Sequence, residues 1–325
     1  MDRPLNLYGV GTYLPPGKKV RELVRAAGGD AAAFDGWENV GHAGADDHPS
    51  LMATQALKRA LTEANVPPDQ LKLVISGGVS RDYQPSWSVA TEVLRLLEIP
   101  STCLGFDMTL GCLGTITGLE IAYGWLAHNG GGWAAIVNAE RWSHTIDYSD
   151  AKAQGLWGHA DGASAVVVGM DVSGKSLATY CGACYSSQAD FNGYILIKYG
   201  GTRHPVAPPG ESPFVRKLAD KEKHEVYQTY LLGYMRAVQG LKERFSVEFT
   251  RILCNQISPT FIYAIGGVAG LSQDQVCVTG DKTGHVGSAD ILIGVRKLLD
   301  EKSFAGNILM AASTPYAFGA GLLKA

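Results

Sequence analysis

Apolar and polar positions along this chain follow two rhythms. Short apolar stretches, LNLYGVGTYL (5–14), LKLVISGG (71–78), TCLGFDM (102–108), GWAAIVNAE (132–140) and ASAVVVG (163–169), predict β-strands. Between them, SLMATQALKRALTEA (50–64) and SWSVATEVLRLLE (86–98) space apolar residues three and four apart and predict amphipathic helices. A further helix is expected to begin near Cys112. Strands and helices in alternation argue an α/β class.

The second half repeats that order: a strand at 178–186, a helix at 222–245, a strand at RILCNQI (251–257) and a helix at FIYAIGGVAG (261–270). A strand at QVCVTG (275–280), a helix at 288–302 and closing strands at NILMAAST (307–314) and AFGAGLLKA (317–325) follow. The shared order suggests an internal duplication with a seam near 170–176, giving one half over 1–172 with Cys112 and another over 173–325 with Asn255 and His285. The Pro- and Gly-rich stretch KYGGTRHPVAPPGESP (198–213) reads as a connector, and loop residues 198–220 are expected to supply side chains to a pocket.

Charge narrows the partners. The net charge is -3 and no run of Lys or Arg forms a basic stripe, so nucleic acid and anionic membrane are not expected; a small molecule or another protein is. The N-terminus MDRPLNLYGVGTYLP lacks a secretory pattern and no long apolar span occurs, which points to a soluble cytoplasmic protein. Six scattered cysteines read as free thiols. The pair in CGAC (181–184) falls on an expected strand, where residues three apart face opposite ways, so no metal or redox site is expected there.

Cys112 is the candidate nucleophile. It sits where an apolar strand turns into a helix, with Gly111 before it and Gly114 and Gly118 behind, the small neighbours that a sharp strand-to-helix turn requires. A helix N-terminus favours thiolate over thiol, and the Cys112 backbone N–H is placed to meet an oxyanion. Such a turn suits acyl transfer through a thioester.

Six segments in order, GVGTYLP (9–15), FDMTLGCLG (106–114), WGHADGASAVVVG (157–169), NQIS (255–258), KTGHVGSAD (282–290) and YAFGAGLLKA (316–325), resemble the thiolase-fold proteins of the β-ketoacyl-carrier-protein synthase III (KAS III) type. The resemblance implies a five-layer αβαβα thiolase fold of two similar halves and a homodimer. It also implies an acyl-CoA or an acyl-phosphopantetheine on an acyl carrier protein as substrate, with no tightly bound cofactor.

Within that resemblance the residue types at two positions are exchanged. Condensing members carry HQAN and GNTS, whereas this chain reads NQIS and GHVGS, so Asn255 stands in the His position and His285 in the Asn position. His285 precedes a helix whose dipole is expected to keep the ring neutral, and Asp290 is placed to orient it as the acid of a Ser-His-Asp triad does. Asn255 is expected to help hold the acyl carbonyl. This pattern is similar to an acyltransferase branch of KAS III-like proteins in polyketide antibiotic biosynthesis, the cervimycin-type malonyltransferases, which pass an acyl group to a sugar hydroxyl or another carrier.

Other departures bear on substrate. Trp37 in FDGW resembles the family's adenine-stacking residue for CoA, but Ala151 stands where its partnering Arg is expected. Pro315 occupies the position of a glycine N–H in the family's oxyanion hole and has none to donate, which leaves the Tyr316 N–H or the Ser313 side chain. His159 and the turn Asp161–Gly162 read as structural, and the remaining histidines as surface or loop residues. The favoured activity is acyl transfer through Cys112; the alternatives are decarboxylative Claisen condensation and a non-catalytic partner subunit.

Overall fold

A computed structural model of the chain describes residues 3–84, 86–217 and 223–325. In the first half the elements are β1 (Leu5–Tyr13), β2 (Gly17–Lys19), α1 (Val20–Ala26), β3 (Asn39–Gly41), α2 (Pro49–Ala64), β4 (Leu71–Gly77), α3 (Val89–Leu96), β5 (Leu104–Asp107), α4 (Gly114–His128), β6 (Gly132–Glu140) and β7 (Gly162–Met170). In the second they are β8 (Ala178–Ser187), β9 (Ile195–Ile197), β10 (Val215–Lys217), α5 (Lys223–Phe245), β11 (Arg251–Cys254), α6 (Pro259–Ala269), α7 (Gly280–Thr283), α8 (Asp290–Asp300), β12 (Asn307–Thr314) and β13 (Ala317–Lys324). Residue 222, the first of the expected helix, and 218–220 of the expected pocket loop lie outside the described residues.

Nine strands form one sheet in the order β11-β12-β13-β8-β1-β7-β6-β4-β5, joined across its middle where Leu5–Leu7 of β1 pair antiparallel with Ala178–Tyr180 of β8. Outward from that junction, one side runs through β7, β6, β4 and β5 and the other through β13, β12 and β11. The expected strand at 275–280 is reduced to a single bridge between Val276 and Ile252, because the chain turns into α7 at Gly280.

Alternation along each strand divides the apolar residues into layers. Leu73 and Ile75 of β4, Val166 and Val168 of β7, and Ile308 and Met310 of β12 face one central cluster, which also holds Ile116 and Leu119 of α4 and Ile291, Leu292 and Val295 of α8. The opposite faces of β4, β6 and β7 are covered by α2 and α3, and those of β12 and β13 by α5 and α6. The result is a thiolase-type αβαβα arrangement with α4 and α8 in the middle, both clad in apolar neighbours, as a helix sealed between sheets requires. Among the described residues no helix is long and apolar enough to cross a membrane.

The CGAC segment departs from expectation. The register between β13 and β8 shifts between Leu322 and Leu323, opposite Gly182 at φ +140, and this bulge puts both Cys181 and Cys184 against the outer cluster rather than on opposite faces. Both remain free thiols.

Candidate active site

The turn that presents Cys112 is built from glycine contacts. Gly111 adopts φ +53, and a Cβ on it would lie 2.9 Å from Thr314 Cγ2. Residues Gly111–Leu113 make one 3₁₀ turn that runs into α4. The end of β4 approaches α4 so closely that a Cβ on Gly77 would fall 2.7 Å from Gly114 Cα. Asn138 Nδ2 donates to Thr115 Oγ1 at 3.0 Å, and the Thr115 hydroxyl donates to the Ser288 carbonyl at 3.1 Å. The helix that follows Cys112 is thereby tied to the loop that carries His285.

On that loop, His285 Nε2 lies 3.8 Å from the Cys112 sulfur and Nδ1 lies 2.5 Å from Asp290 Oδ2. Asp290 also accepts the backbone N–H groups of Val286 and Gln256, both at 2.8 Å, and is 1% exposed. Three groups therefore stand in series, sulfur, ring and carboxylate. The structure differs from the expected neutral ring. Burial alone weakens the base, but the carboxylate against Nδ1, together with the Cys112 sulfur, overrides it and pushes His285 up to about 10. Cys112, half-buried at the turn, is held by burial above the usual thiol value, and His285 pulls it back only in part.

Asn255 occupies the same floor but is committed elsewhere. Its Nδ2 donates to the Gly287 carbonyl at 3.1 Å and its Oδ1 accepts the Ser313 N–H at 2.8 Å, in a fully buried setting. It ties the His285 loop to β12, so its amide is used on backbone rather than offered to an acyl carbonyl. Trp37 is likewise a core residue: only 7% exposed, it donates Nε1–H to the Gln256 carbonyl at 2.6 Å and lies flat against Gly280. The adenine-stacking role expected of it fails because its ring is enclosed in the packing of the second half. Ala151, at the start of the 3₁₀ turn Ala151–Leu156, is exposed. Pro315 and Tyr316 make the turn between β12 and β13, with the Tyr316 carbonyl accepting the Gln188 N–H at 2.8 Å. The Ser313 hydroxyl accepts the Tyr234 phenol at 2.9 Å on the outer face of the sheet.

Two residues of the site were missed from sequence. Glu140, at the end of β6 and fully buried, accepts the Val79 and Ser80 N–H groups at 3.1 Å, the Ser80 hydroxyl at 2.8 Å and the Ser288 hydroxyl at 2.9 Å. Burial raises its carboxyl against those donors. The one signal was an acid closing a strand that is apolar apart from Asn138. His159, read as merely structural, has its ring centroid 4.6 Å from that of His285, edge on, and 5.0 Å from that of Trp142. Its backbone makes a parallel bridge to His285, so the aromatic wall behind the His285 ring comes from the WGHADG segment.

Comparison with known proteins bears on this geometry. The family model described as 3-oxoacyl-[acyl-carrier-protein] synthase III matches residues 106–184, the span that contains Cys112. The β-ketoacyl-[acyl-carrier-protein] synthase III of Caldanaerobacter subterraneus subsp. tengcongensis is 30% identical over 285 residues, covering 84% of this chain and 80% of the relative. That of Aquifex aeolicus is 28% identical over 279 residues, covering 84% and 81%. Among solved structures, Xanthomonas campestris OleA superposes with a TM-score of 0.85 at 18% identity over 99% of this chain and 98% of the other. The Aquifex aeolicus 3-oxoacyl-[acyl-carrier-protein] synthase III does so with a TM-score of 0.83 at 21% identity, over 99% and 100%. At those identities the superpositions speak to the fold.

Proposed function

Because this chain belongs to the β-ketoacyl-[acyl-carrier-protein] synthase III family, we propose that it carries an acyl group as a thioester on Cys112 and delivers it to a hydroxyl acceptor, a sugar on a polyketide being one such, or to another carrier. The observation that carries this reading is the series from Cys112 through His285 to Asp290. With the ring held protonated by Asp290, loss of the thiol proton leaves a thiolate paired with the imidazolium; sulfur attacks the donor thioester and Nε2–H gives its proton to the leaving thiolate, which leaves the ring neutral. In the second step Nε2 takes the acceptor's O–H proton as oxygen attacks the Cys112 thioester, and the proton returns to sulfur as the ester leaves. The donor on this reading is an acyl carrier protein or CoA, and the enzyme works as a homodimer. With Trp37 enclosed, a carrier-protein donor is the better fit.

A second reading, decarboxylative condensation, is favoured by the name that the 30% identical relative bears. Against it stands Asn255, whose amide is engaged at both ends by backbone and does not act with His285 as a paired donor.

The deciding experiment incubates the protein with acetyl- and malonyl-thioesters, follows Cys112 by intact-protein mass spectrometry and traps released CO2, with Cys112→Ala and His285→Ala alongside. Acyl transfer requires an adduct absent from Cys112→Ala and no CO2. A β-ketoacyl product with CO2 restores condensation. Failure of every donor to label Cys112 leaves only a non-catalytic partner subunit.

A further inference from the structure

An acyl group on Cys112 needs donors for the oxygen that becomes anionic when its carbonyl is attacked, and two are the usual minimum. The Cys112 backbone N–H is one. Pro315, in the turn that faces the Cys112 segment, has no N–H to give.

Alternation along β12 sorts the remaining hydroxyls. Leu309 and Ala311 point to the outer cluster under α5 and α6, and Ser313 follows them, its oxygen already bonded to Tyr234. Ile308, Met310 and Ala312 point to the central cluster that contains α4, and Thr314 follows those. Its side chain reaches the nucleophile's turn, with Cγ2 set 2.9 Å from where a Cβ on Gly111 would stand. Thr314 is only 4% exposed, and among the described residues its hydroxyl oxygen is buried with no hydrogen-bond partner. A buried hydroxyl without a partner is costly to keep and calls for an explanation. Here the same side chain packs its methyl against Gly111, the residue before Cys112.

We propose that the Thr314 hydroxyl is the second donor to the acyl oxyanion at Cys112, replacing the backbone N–H that Pro315 cannot supply. This rests on the acyl-enzyme reading above. Sulfur forms its bond to the carbonyl carbon, the C=O π pair moves to oxygen, and Thr314 O–H donates to that oxygen. When the pair returns, the donor's C–S bond breaks and its thiolate leaves with the proton from His285. The unpartnered hydroxyl in the resting site is then a donor kept open for the intermediate, which alone bears the charge.

The test compares wild type, Thr314→Val and Thr314→Ser in single-turnover acylation by acetyl and malonyl thioesters of CoA and of an acyl carrier protein, read by intact mass, beside alkylation of Cys112 by iodoacetamide, a displacement that forms no oxyanion. Valine keeps the shape and removes the donor, so acylation is expected to slow by about 10²–10³-fold. Alkylation should be unchanged, the thermal midpoint no lower, and serine should recover most of the acylation rate. Acylation of Thr314→Val at the wild-type rate overturns the proposal, as does a parallel loss of acylation and alkylation, which would make Thr314 a support for the thiol. A wild-type protein that takes no acyl group removes the acyl-enzyme reading itself, and this inference with it.

Discussion

At Cys112 and His285 two effects oppose each other. Burial disfavours charge on either group, yet the Asp290 carboxylate against Nδ1 holds the ring protonated, and His285 draws the thiol part of the way back down. On the proposed mechanism the imidazolium then steadies the thiolate and protonates the leaving group. Asp290→Asn keeps the shape and removes that bias; single-turnover acylation is expected to fall by about 10²–10⁴-fold, the range of general acid–base catalysis. The same change touches two backbone donors, so a stability loss of about 1–3 kcal/mol should accompany it in thermal unfolding. A variant as fast as wild type would remove Asp290 from the mechanism. The raised ring also has a thermodynamic sign. Its value goes from 6.5 to about 10 on folding, so the folded state holds the proton more tightly. The stabilisation this gives is fully present below about pH 6.5 and is lost as pH rises through about 10. Urea midpoints taken across that window should decline more steeply for wild type than for His285→Gln, and parallel slopes would show that the ring titrates alike in both states.

At the scale of elements, the site depends on how closely the end of β4 meets the start of α4. Gly77 leaves room for neither a methyl group nor a shift, since a Cβ would stand 2.5 Å from Asn138 Oδ1 and 2.7 Å from Gly114 Cα. Gly77→Ala is expected to cost about 1–3 kcal/mol by overpacking and, because the displaced atoms belong to the nucleophile's helix, to slow acylation more than a general loss of stability would. Unfolding midpoints and single-turnover rates measured together check this; a rate that stays at wild type would show that the turn tolerates the movement. Much of this level was legible in sequence. β6 and β12 begin and end where the apolar runs do, because each run is bounded by turn residues. That Cys112, His285 and Asp290 would stand together was legible too, Cys112 through its turn glycines and the other two through the family resemblance. What was not legible depends on partners far apart in the chain. Nothing local to Glu140 announces Ser80 and Ser288, and nothing in FDGW shows that Gly280 will cover Trp37. The strand expected at 275–280 had the right composition but only one neighbour to bridge.

The whole molecule is bound together by its middle layer. α4 comes from one half and α8 from the other, yet both are sealed in one cluster with strands of each half, and β1 pairs with β8 across the seam. On the proposal that the halves are duplicated units, neither has a complete core without the other, and the chain should unfold in one step. The sequence supplies a direct probe. All six tryptophans, Trp37, Trp87, Trp125, Trp133, Trp142 and Trp157, lie before residue 172. Trp87 and Trp133 pack in the outer cluster of that half whereas Trp37 is enclosed by the second, so in a Trp37→Phe background tryptophan fluorescence is weighted to the first half while far-UV circular dichroism reports both. Leu292 of α8 belongs to the second half and is fully buried in the shared cluster. Leu292→Ala is expected to cost about 2–5 kcal/mol, the range for truncating a buried leucine. If the central layer couples the halves, the fluorescence midpoint in urea moves with the circular dichroism midpoint, although no tryptophan lies on the mutated helix. A fluorescence midpoint that holds while the dichroism midpoint falls would mean that the first half keeps its own stability. The geometry that brings His285 to Cys112 would then be a contact between two independent bodies rather than a property of one core.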